Sequence, residues 1–354
     1  FDSHKHYTLA ERMEKSTGHT RQQRLAHNRG VFVDYLKDIE PGTPVAVEAT
    51  GNWYWIVGEI ERAGGAPQLV HPGKAKLMMG LINKTDKLDV HGLNRRQQTG
   101  TLPVVWIPPA ALRDLRELTR GRLTLTGQRT RIKNRLQAML AKHGLGIKNY
   151  SDSFGKGARQ QWQRLLPELP EQTQWSASQF LEQLDYLQTQ VKAQEKRLQE
   201  LLKVTPAMQR LTTLPGIGLI LAATLAMEIG EIGRFAGAER LAAYAGTTPR
   251  VHSSGGKTRY GKLRPDVNRH LKWALIEAAN SVALHHKKKP QRHVSQLYMR
   301  IRQRKGHPKA VGAVARHLAE ACFHVLSKSQ DYLDPKLKDK RTGSDQSGAS
   351  ANAA

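Results

Sequence analysis

The stretch Val45-Ala46-Val47-Glu48 is a short run of β-branched and small apolar residues that ends in a carboxylate. Such a run predicts a buried central strand of a sheet. Charged residues are rarely buried without a partner, so Glu48 is unusual at the end of this strand. In open α/β sheets, ligands bind at the carboxyl ends of the strands. Glu48 is therefore the first candidate for a functional side chain.

The segments on either side of this strand alternate between strand and helix patterns. Pro103 limits the last predicted strand to a sheet edge. We predict strands at 7–14, 20–27, 45–47, 68–70 and 102–107, and helices at 29–39, 52–63 and 74–82. This order predicts an α/β domain over residues 1–109. Because the chain starts at Phe1, we expect the body of one further strand to precede it, with Asp2 at the end of that strand.

Two carboxylates lie three residues apart in Asn83-Lys84-Thr85-Asp86-Lys87-Leu88-Asp89. Residues i and i+3 of a helix share a face, so Asp86 and Asp89 can point the same way. Like charges held that close are costly unless a Lys, an Arg or a divalent metal lies between them. Acids are also common near helix starts, where they suit the helix dipole. On local sequence alone, such an ordinary helix start is favoured over a functional pair by roughly four to one.

The whole chain is strongly basic. Its 354 residues carry 56 Lys and Arg against 30 Asp and Glu, a formal net charge of +26. Because the excess is spread along the chain, it favours a polyanion, foremost nucleic acid, as the partner. We find neither a long apolar run nor a signal peptide, and expect no membrane partner. The single cysteine, Cys322, excludes a disulfide framework and favours a core thiol in a reducing cytoplasm.

Two long helices are predicted after residue 109. The first, over 110–144, is rich in Arg and Lys; phosphate contact is favoured over a solvated surface by roughly two to one. Its predicted nucleic-acid-binding residues are Arg113, Arg116, Arg120, Arg129, Arg131, Lys133 and Arg135. The second, over 176–203, has near-heptad apolar spacing, which predicts a coiled-coil seam with the first helix or with another subunit. The coiled coil and its basic linker span residues 110–205.

A mostly helical domain is predicted over residues 206–328. Leu214-Pro215-Gly216-Ile217-Gly218, with helices at 219–229 and 238–244, resembles a helix-hairpin-helix. In that element Gly216 and Gly218 would let backbone N–H groups approach a DNA phosphate; the alternative is a simple helix entry. His285 and His286 are assigned to an exposed basic turn, and residues 329–354 to a disordered tail.

The loop over 247–259 contains Gly256-Lys257-Thr258, the end of a P-loop pattern. That motif needs a glycine where Val251 stands and a preceding strand, so a nucleotide site is excluded. What remains is Ser254 beside Arg250, Lys257 and Arg259. Ser253 is the alternative, and only the following Gly255 favours Ser254. A serine hydroxyl must be activated before it attacks. On local sequence an ordinary Ser/Gly turn is favoured by about four to one.

Acidic residues are scarce, so Glu48, Asp86 and Asp89 draw notice, and Asp2 would make four. Oxygen-only ligand sets suit Mg²⁺ or Mn²⁺ and not zinc. Two such ions would stabilise the attacking and leaving oxygens of a phosphodiester displacement. The sequence therefore predicts a metal site that links an acidic cluster to phosphate.

These features together resemble the IS110 family of insertion-sequence transposases, the bridge-RNA-guided recombinases. The resemblance covers nearly the whole chain. It is carried by Asp2 near the start, by the motifs around Glu48 and Asp86-Lys87-Leu88-Asp89, and by Ser254-Gly255. The stretches 214–218 and 244–250 resemble the C-terminal domain of that family.

The resemblance implies an RNase H-like (RuvC-like) domain that holds Mg²⁺ with Asp2, Glu48, Asp86 and Asp89. A coiled coil and a helical domain with the nucleophilic Ser254 would follow. The serine would form a covalent phosphoserine with DNA, in a composite site shared across subunits of a dimer or tetramer. Donor and target double-stranded DNA and a non-coding guide RNA would be the partners. We expect a cytoplasmic, nucleoid-associated bacterial protein.

Two other functions stay open from the sequence. The first is a metal-dependent RuvC-like nuclease of the junction-resolving kind, which uses the acids alone and water as its nucleophile. The second is a nucleic-acid-binding protein without catalysis, whose helices clamp RNA.

Overall fold

A computed structural model describes residues 1–79, 85–264 and 267–335. Asn83, Lys84, the end of the helix predicted over 74–82, and the tail from residue 336 lie outside the described residues. The chain divides into two compact units between Pro109 and Ala110, and each is described by itself. Among the described helices, none is long and apolar enough to cross a membrane.

The first unit is built on short strands in two groups. The first three strands form an antiparallel sheet in the order β3-β2-β1, and the other three form a sheet in the order β4-β5-β6. Strands β4 and β5 are parallel, whereas β5 and β6 are antiparallel. The strands are β1 (Asp2–Ser3), β2 (Tyr7–Met13), β3 (Thr20–Ala26), β4 (Pro44–Glu48), β5 (Ala66–Val70) and β6 (Val104–Val105).

Phe1 joins the two groups of strands. Its backbone nitrogen donates to the carbonyl of Ala46 at 2.8 Å, and the backbone N–H of Glu48 donates to the carbonyl of Phe1 at 3.4 Å. These bonds place the start of β1 beside the carboxyl end of β4. Asp2 and Glu48 consequently lie at neighbouring positions of the sheet.

Apolar residues cover both faces of β4. Val47 packs with Phe32 and Ile56 in the main core of the unit, whereas Ala46 packs with Val70 and Leu93 in a second cluster. This alternation is what the two-residue period of a strand with two buried faces requires. The helices are α1 (Val31–Leu36), α2 (Trp53–Arg62), α3 (Pro72–Met79) and α4 (Asp86–Gln98). The predicted strands and helices of this unit occur in the predicted order, with ends that shift by a few residues, and α4 is a helix that was not among those predicted.

Glu11 fixes helix α4 against the first sheet. Its side chain is 1 % exposed. It accepts a hydrogen bond from Asn94 at 2.7 Å and lies 3.1 Å from His91 Nδ1, both on α4. Gln22 of β3 donates to Glu11 and also to the backbone carbonyl of Lys87. The first turn of α4 is therefore held at a set position over β2 and β3.

The described residues of the second unit form helices and one β-hairpin. Two short 3₁₀ turns, Leu166–Glu168 and Ile232–Arg234, link some of its helices. The hairpin strands are β7 (Pro249–Ser254) and β8 (Lys257–Leu263). The helices are α5 (Ala110–Lys142), α6 (Lys156–Leu165), α7 (Glu171–Val204), α8 (Pro206–Leu211), α9 (Leu219–Ile229), α10 (Ala238–Tyr244), α11 (Arg269–His285), α12 (His293–Lys305) and α13 (His307–Ser327).

The two long helices, α5 and α7, pack against each other in opposite directions. Leu184 and Leu187 of α7 share a cluster with Leu136 near the end of α5, whereas Leu198 packs near the start of α5. The apolar seam predicted on α7 therefore contacts the first helix of the same chain. The supercoil of a true coiled coil stays a prediction.

A buried carboxylate ties α5 to the rest of the unit. Glu228 of α9 is fully buried and accepts two hydrogen bonds from Arg120, at 2.8 and 3.0 Å. Arg116 lies 3.5 Å away, and Asn268 donates at 2.8 Å. Burial alone raises the pKa of Glu228, but the hydrogen bonds from Arg120 and Asn268 and the charge of Arg116 outweigh it and hold that pKa below its ordinary value.

This network differs from the exposed phosphate-binding face that we predicted for the start of α5. Arg113 and Arg116 are buried, and Arg120 is turned toward Glu228. Arg116 and Arg120 lie there because a buried carboxylate is stable only when cations and hydrogen-bond donors surround it. These two arginines therefore have a structural role, and Arg113 is buried on the same helix.

Gly216 lies in a tight turn that packs against α11. Its φ is +78°, and a Cβ at this position would lie 2.4 Å from the carbonyl oxygen of Ala278. Gly218 caps α9 with open space around it. The turn is flanked by α8 and α9, whereas we predicted α9 and α10 as the pair of helices. Packing explains the glycine at 216; only Gly218 is open to a ligand.

The last helices bury two residues, Cys322 and His286. Cys322 is buried as predicted, and burial raises the pKa of its thiol to about 12. His286 is buried against Tyr298 and not exposed, because its ring fills the junction of α11 and α12. Tyr332, in the predicted disordered tail, donates its backbone N–H to Thr213. The described residues 329–335 thus pack on the unit.

We predict that Gly216→Ala destabilises the chain, whereas Gly218→Ala does not. The first change forces a Cβ into the Ala278 carbonyl at a positive φ, at a cost of about 3 kcal/mol. The second meets no atom and changes only a helix cap, at a cost of less than about 1 kcal/mol. Denaturant unfolding of the full chain measures both. Equal losses of unfolding free energy in the two variants would contradict the packing role of Gly216.

We also predict that Glu228→Gln lowers the free energy of unfolding by about 3 kcal/mol at pH 7, because two arginines lose their buried counter-charge. The folded-state pKa of Glu228 is depressed, so its contribution is present above the ordinary pKa of a glutamate and is lost as pH falls through the folded value. The gap between wild type and variant should therefore narrow in acid. A gap that stays constant with pH would contradict this role of Glu228.

Candidate functional site

Four carboxylates predicted from distant parts of the sequence converge on one cleft of the first unit. Asp2, Glu48, Asp86 and Asp89 all line a cavity of about 230 Å³. The remaining lining residues are His4, Pro72, Gly73, Lys76 and Met79. The structure thus brings together all four acids that the sequence predicted.

Three elements hold the four acids. Asp2 lies in β1 and is buried, and Glu48 ends β4 beside it. Asp86 and Asp89 occupy the first turn of α4, so they share a face as predicted. Thr85 caps this helix by accepting a hydrogen bond from the backbone N–H of Leu88 at 3.3 Å. The edge of a sheet and the start of a helix therefore meet at the cleft.

His4 lines the cleft, and Tyr7 contacts one of its acids; the sequence did not predict either residue. His4 Nε2 lies 3.3 Å from Asp2 Oδ2 and 3.3 Å from Asp86 Oδ2. The hydroxyl of Tyr7 donates a hydrogen bond to Asp86 Oδ2 at 2.9 Å. One signal in the sequence was available, because His4 stands two residues after Asp2 and alternate residues of an extended segment share a side.

Asn52 holds the loop that carries His4. Its side-chain amide donates to the carbonyl of His4 at 2.8 Å. Its oxygen accepts hydrogen bonds from Ser3 and Thr50. Through Asn52, the segment after β1 is fixed to the start of α2.

Burial and the charges of neighbouring acids disfavour the ionised form of Asp2 in the cleft. Burial raises the pKa of Asp2; His4 lowers it in part, and the charges of Asp86 and Asp89 raise it further. The hydrogen bond to Asp86 raises the pKa of Tyr7, so its phenol stays protonated as a donor. A cation in the cleft would relieve the repulsion among the carboxylates.

The donor atoms fit a divalent cation. Asp2, His4 and Asp86 each offer one ligand atom, and these atoms all lie within 4.8 Å of one another. Glu48 and Asp89 line the same cleft and add further carboxylate oxygens. Carboxylates suit Mg²⁺ and Mn²⁺, whereas the imidazole of His4 is a ligand that Mg²⁺ seldom takes. These residues could therefore hold a divalent metal mainly through oxygen.

Ser254 lies in the second unit, near the tip of the β7–β8 hairpin. The turn residues Gly255 and Gly256 have φ of +55° and +75°, as a two-residue type I′ turn requires. We predicted an irregular loop without a preceding strand; β7 precedes the turn instead. No phosphate-binding helix follows, since β8 continues from Lys257.

The two faces of this hairpin differ in chemistry. Cross-strand partners share a face. Ser254 pairs with Lys257, and His252 pairs with Arg259, so these four side chains form one polar and basic face. Ser253 pairs with Thr258, and Val251 with Tyr260, on the opposite face. The neighbouring serines therefore point to opposite sides, and only Ser254 shares its side with Lys257 and Arg259.

The other predicted nucleic-acid-binding residues lie in varied environments. Arg250 is exposed on β7, and Arg131 and Arg135 are exposed on α5. Arg129 donates a hydrogen bond to Gln188 of α7 at 2.7 Å, and Lys133 lies 3.3 Å from Asp152. Phosphate contact by these residues stays a prediction.

Two families match this chain. One, described as a transposase family of the IS110 DEDD type, covers residues 2–144 and so includes all four acids of the cleft. The other, described as the transposase IS116/IS110/IS902 family, covers residues 208–295 and so includes the hairpin with Ser254.

Relatives that match over most of their length agree with these family matches. A putative transposase of Sinorhizobium fredii is 28% identical over 303 residues, which cover 82% of this chain and 75% of the relative. The transposase for insertion sequence element IS1111A of Coxiella burnetii is 24% identical over 314 residues, or 86% and 83% of the two chains. A probable family 20 transposase of Pseudomonas aeruginosa is 25% identical over 253 residues, or 70% and 73%. From both family matches and these relatives, the chain belongs to the IS110 family of transposases.

Proposed function

We propose that this transposase cuts and rejoins DNA with Asp2, Glu48, Asp86 and Asp89 as ligands of Mg²⁺, with Mn²⁺ as a substitute, and with Ser254 as the nucleophile. The observation that carries the proposal is the convergence of the four acids on one cleft. Their positions, at the ends of β1 and β4 and in the first turn of α4, are those expected for ligands at an open sheet.

The strand arrangement supports an RNase H-like (RuvC-like) domain. The order β3-β2-β1 is antiparallel, and Phe1 links β1 to β4, which runs parallel to β5. Asp2 and Glu48 lie where β1 and β4 adjoin, and Asp86 and Asp89 lie at the start of α4. We infer from this order and from the DEDD match that the first unit has the RNase H-like architecture.

When bound, the metal would polarise the scissile phosphate and lower the cost of charge on its oxygens. The oxygen of Ser254 would form a bond to phosphorus as the bond from phosphorus to a deoxyribose oxygen breaks. The serine gives up its proton, and the leaving oxygen gains one. Lys257 and Arg259, on the same face of the hairpin, would bind the phosphate oxygens. Because the phosphoserine keeps the bond energy, rejoining needs no nucleotide.

We further propose a guide RNA and a homo-oligomer, dimer or tetramer, as partners. The formal net charge of +26 suits a protein that holds both DNA and RNA. The exposed Arg131 and Arg135 of α5 are candidate phosphate contacts. In this arrangement base pairing with the RNA would supply sequence specificity, and the protein would bind nucleic-acid backbone.

Trapping of a covalent adduct tests the proposal. Labelled element-end DNA is incubated with Mg²⁺, guide RNA and protein, and denatured gels are scored for a protein–DNA band. We expect the band with wild type and its loss in Ser254→Ala, because the proposed nucleophilic oxygen belongs to Ser254. Ser253→Ala is the matched control, since Ser253 lies on the opposite face, and it should keep the band.

The acids are tested in the same assay. Asp89→Asn should reduce the adduct at least 100-fold, about the loss seen when an electrostatic group that stabilises a transition state is removed. Asp38→Asn, at an exposed position outside the cleft, should have no effect. If DNA is cleaved without an adduct, and the cleavage persists in Ser254→Ala, the nuclease that uses water would be established instead.

A further inference from the structure

Tyr7 is enclosed between two cationic or ionisable groups at the acid cleft. The ring of His4 stacks on it, with centroids 4.6 Å apart and an interplanar angle of 25°. The guanidinium carbon of Arg24 lies 3.8 Å from the centroid of the same ring. The side chains of His4, Tyr7 and Arg24 thus pack together, and these three side chains are called the stack.

The register of the first sheet builds this stack. Tyr7 and Leu9 point to the same side of β2, and Arg24 of β3 lies directly opposite Leu9. Arg24 is thus a diagonal cross-strand neighbour of Tyr7, within reach of a long side chain. The same side of the sheet carries Glu11, which anchors α4. The stack and the helix with Asp86 are consequently fixed to one surface.

The hydroxyl of Tyr7 acts on Asp86. It donates to Oδ2 at 2.9 Å, and the stack prevents the ring from turning away. Asp86 is about half exposed at its side chain, with 47 % accessible, so packing alone does not set its rotamer. A hydrogen bond from a fixed donor leaves the other carboxylate oxygen oriented for a metal.

The guanidinium of Arg24 has N–H donors that can bind a ligand. Its side chain is exposed, and the ring of Tyr7 takes up one face of the guanidinium while the N–H groups point along its edge. A planar fork of N–H donors matches the oxygens of a phosphate. Tyr7 therefore presents Arg24 in a fixed position next to the residues that line the cleft.

We propose that Tyr7 couples two tasks: its hydroxyl orients Asp86 for the metal, and its ring holds the Arg24 guanidinium as a binding group for a phosphate of the DNA. Tyr7 is a positioning residue, and Arg24 is a substrate-binding residue. The inference rests on the proposed function, because it requires that the cleft binds a divalent metal and works on DNA.

Calorimetric titration of the full chain with Mn²⁺ alone tests the first task. Tyr7→Phe removes only the hydroxyl, and we expect the Kd for Mn²⁺ to rise about 10–100-fold, as is typical for loss of a hydrogen bond to a metal ligand. The thermal unfolding midpoint should stay unchanged. Tyr35→Phe is the matched control, because Tyr35 also lies beneath an arginine, Arg12, but outside the cleft, and it should bind Mn²⁺ as wild type does.

Binding of labelled duplex DNA in EDTA, measured against salt concentration, tests the second task. Arg24→Ala should reduce the slope of log Kd against log salt by about 0.9, the share of one phosphate contact, and should leave the Kd for Mn²⁺ near wild type. Tyr7→Phe keeps the ring beneath Arg24 and should keep the slope. Arg21→Ala is the control. Arg21 and Arg24 are three residues apart along β3, and side chains alternate along a strand, so Arg21 points to the opposite side of the sheet.

The outcomes separate this inference from the proposed function. If wild type binds no Mn²⁺, both fail. If wild type binds Mn²⁺ and Tyr7→Phe binds it equally well, the cleft keeps its proposed role and the positioning role of Tyr7 is overturned. An unchanged slope in Arg24→Ala, or an equal reduction in Arg21→Ala, overturns the phosphate-binding role of Arg24.

Discussion

Repulsion among carboxylates is the constraint on which the site of this transposase depends. Asp2 is buried within reach of Asp86 and Asp89, and both burial and these charges raise its pKa. No fold gains stability from such a cluster unless a cation or donors compensate it. The surrounding structure supplies part of the compensation through His4 and the hydroxyl of Tyr7. A divalent metal would supply the rest, and with it a link between an acidic cleft and a polyanionic substrate.

The second unit also contains a buried carboxylate, but its charge is compensated by neighbouring side chains. Glu228 is also a buried acid, but Arg116, Arg120 and Asn268 satisfy it fully, and its pKa is lowered. Its contacts join α5, α9 and the start of α11, just after the hairpin that carries Ser254. One buried carboxylate thus holds a framework together, whereas the cleft gathers four carboxylates. The pKa of Glu228 is lowered because its donors outweigh burial, and the pKa of Asp2 is raised by burial.

Local patterns predicted much of this arrangement. The β-branched run before Glu48 gave a central strand, and the spacing of Asp86 and Asp89 gave a shared helix face, because both depend on neighbours in sequence. The roles of Arg116 and Gly216 were out of reach, since they depend on Glu228 and Ala278, which are distant along the chain. His4 and Tyr7 were missed for the same reason: their meaning comes from Asp86, brought close only by folding. The hairpin at Ser254 was missed because its Ser/Gly composition also suits an irregular turn.

We propose that the four acids form one metal site, and anomalous X-ray scattering from crystals of this chain soaked in Mn²⁺ examines that site itself. We expect a manganese peak in the cleft, with oxygens of Asp2, Glu48, Asp86 and Asp89 as its protein ligands. A cleft without manganese, when the ion is bound elsewhere on the chain, would contradict it.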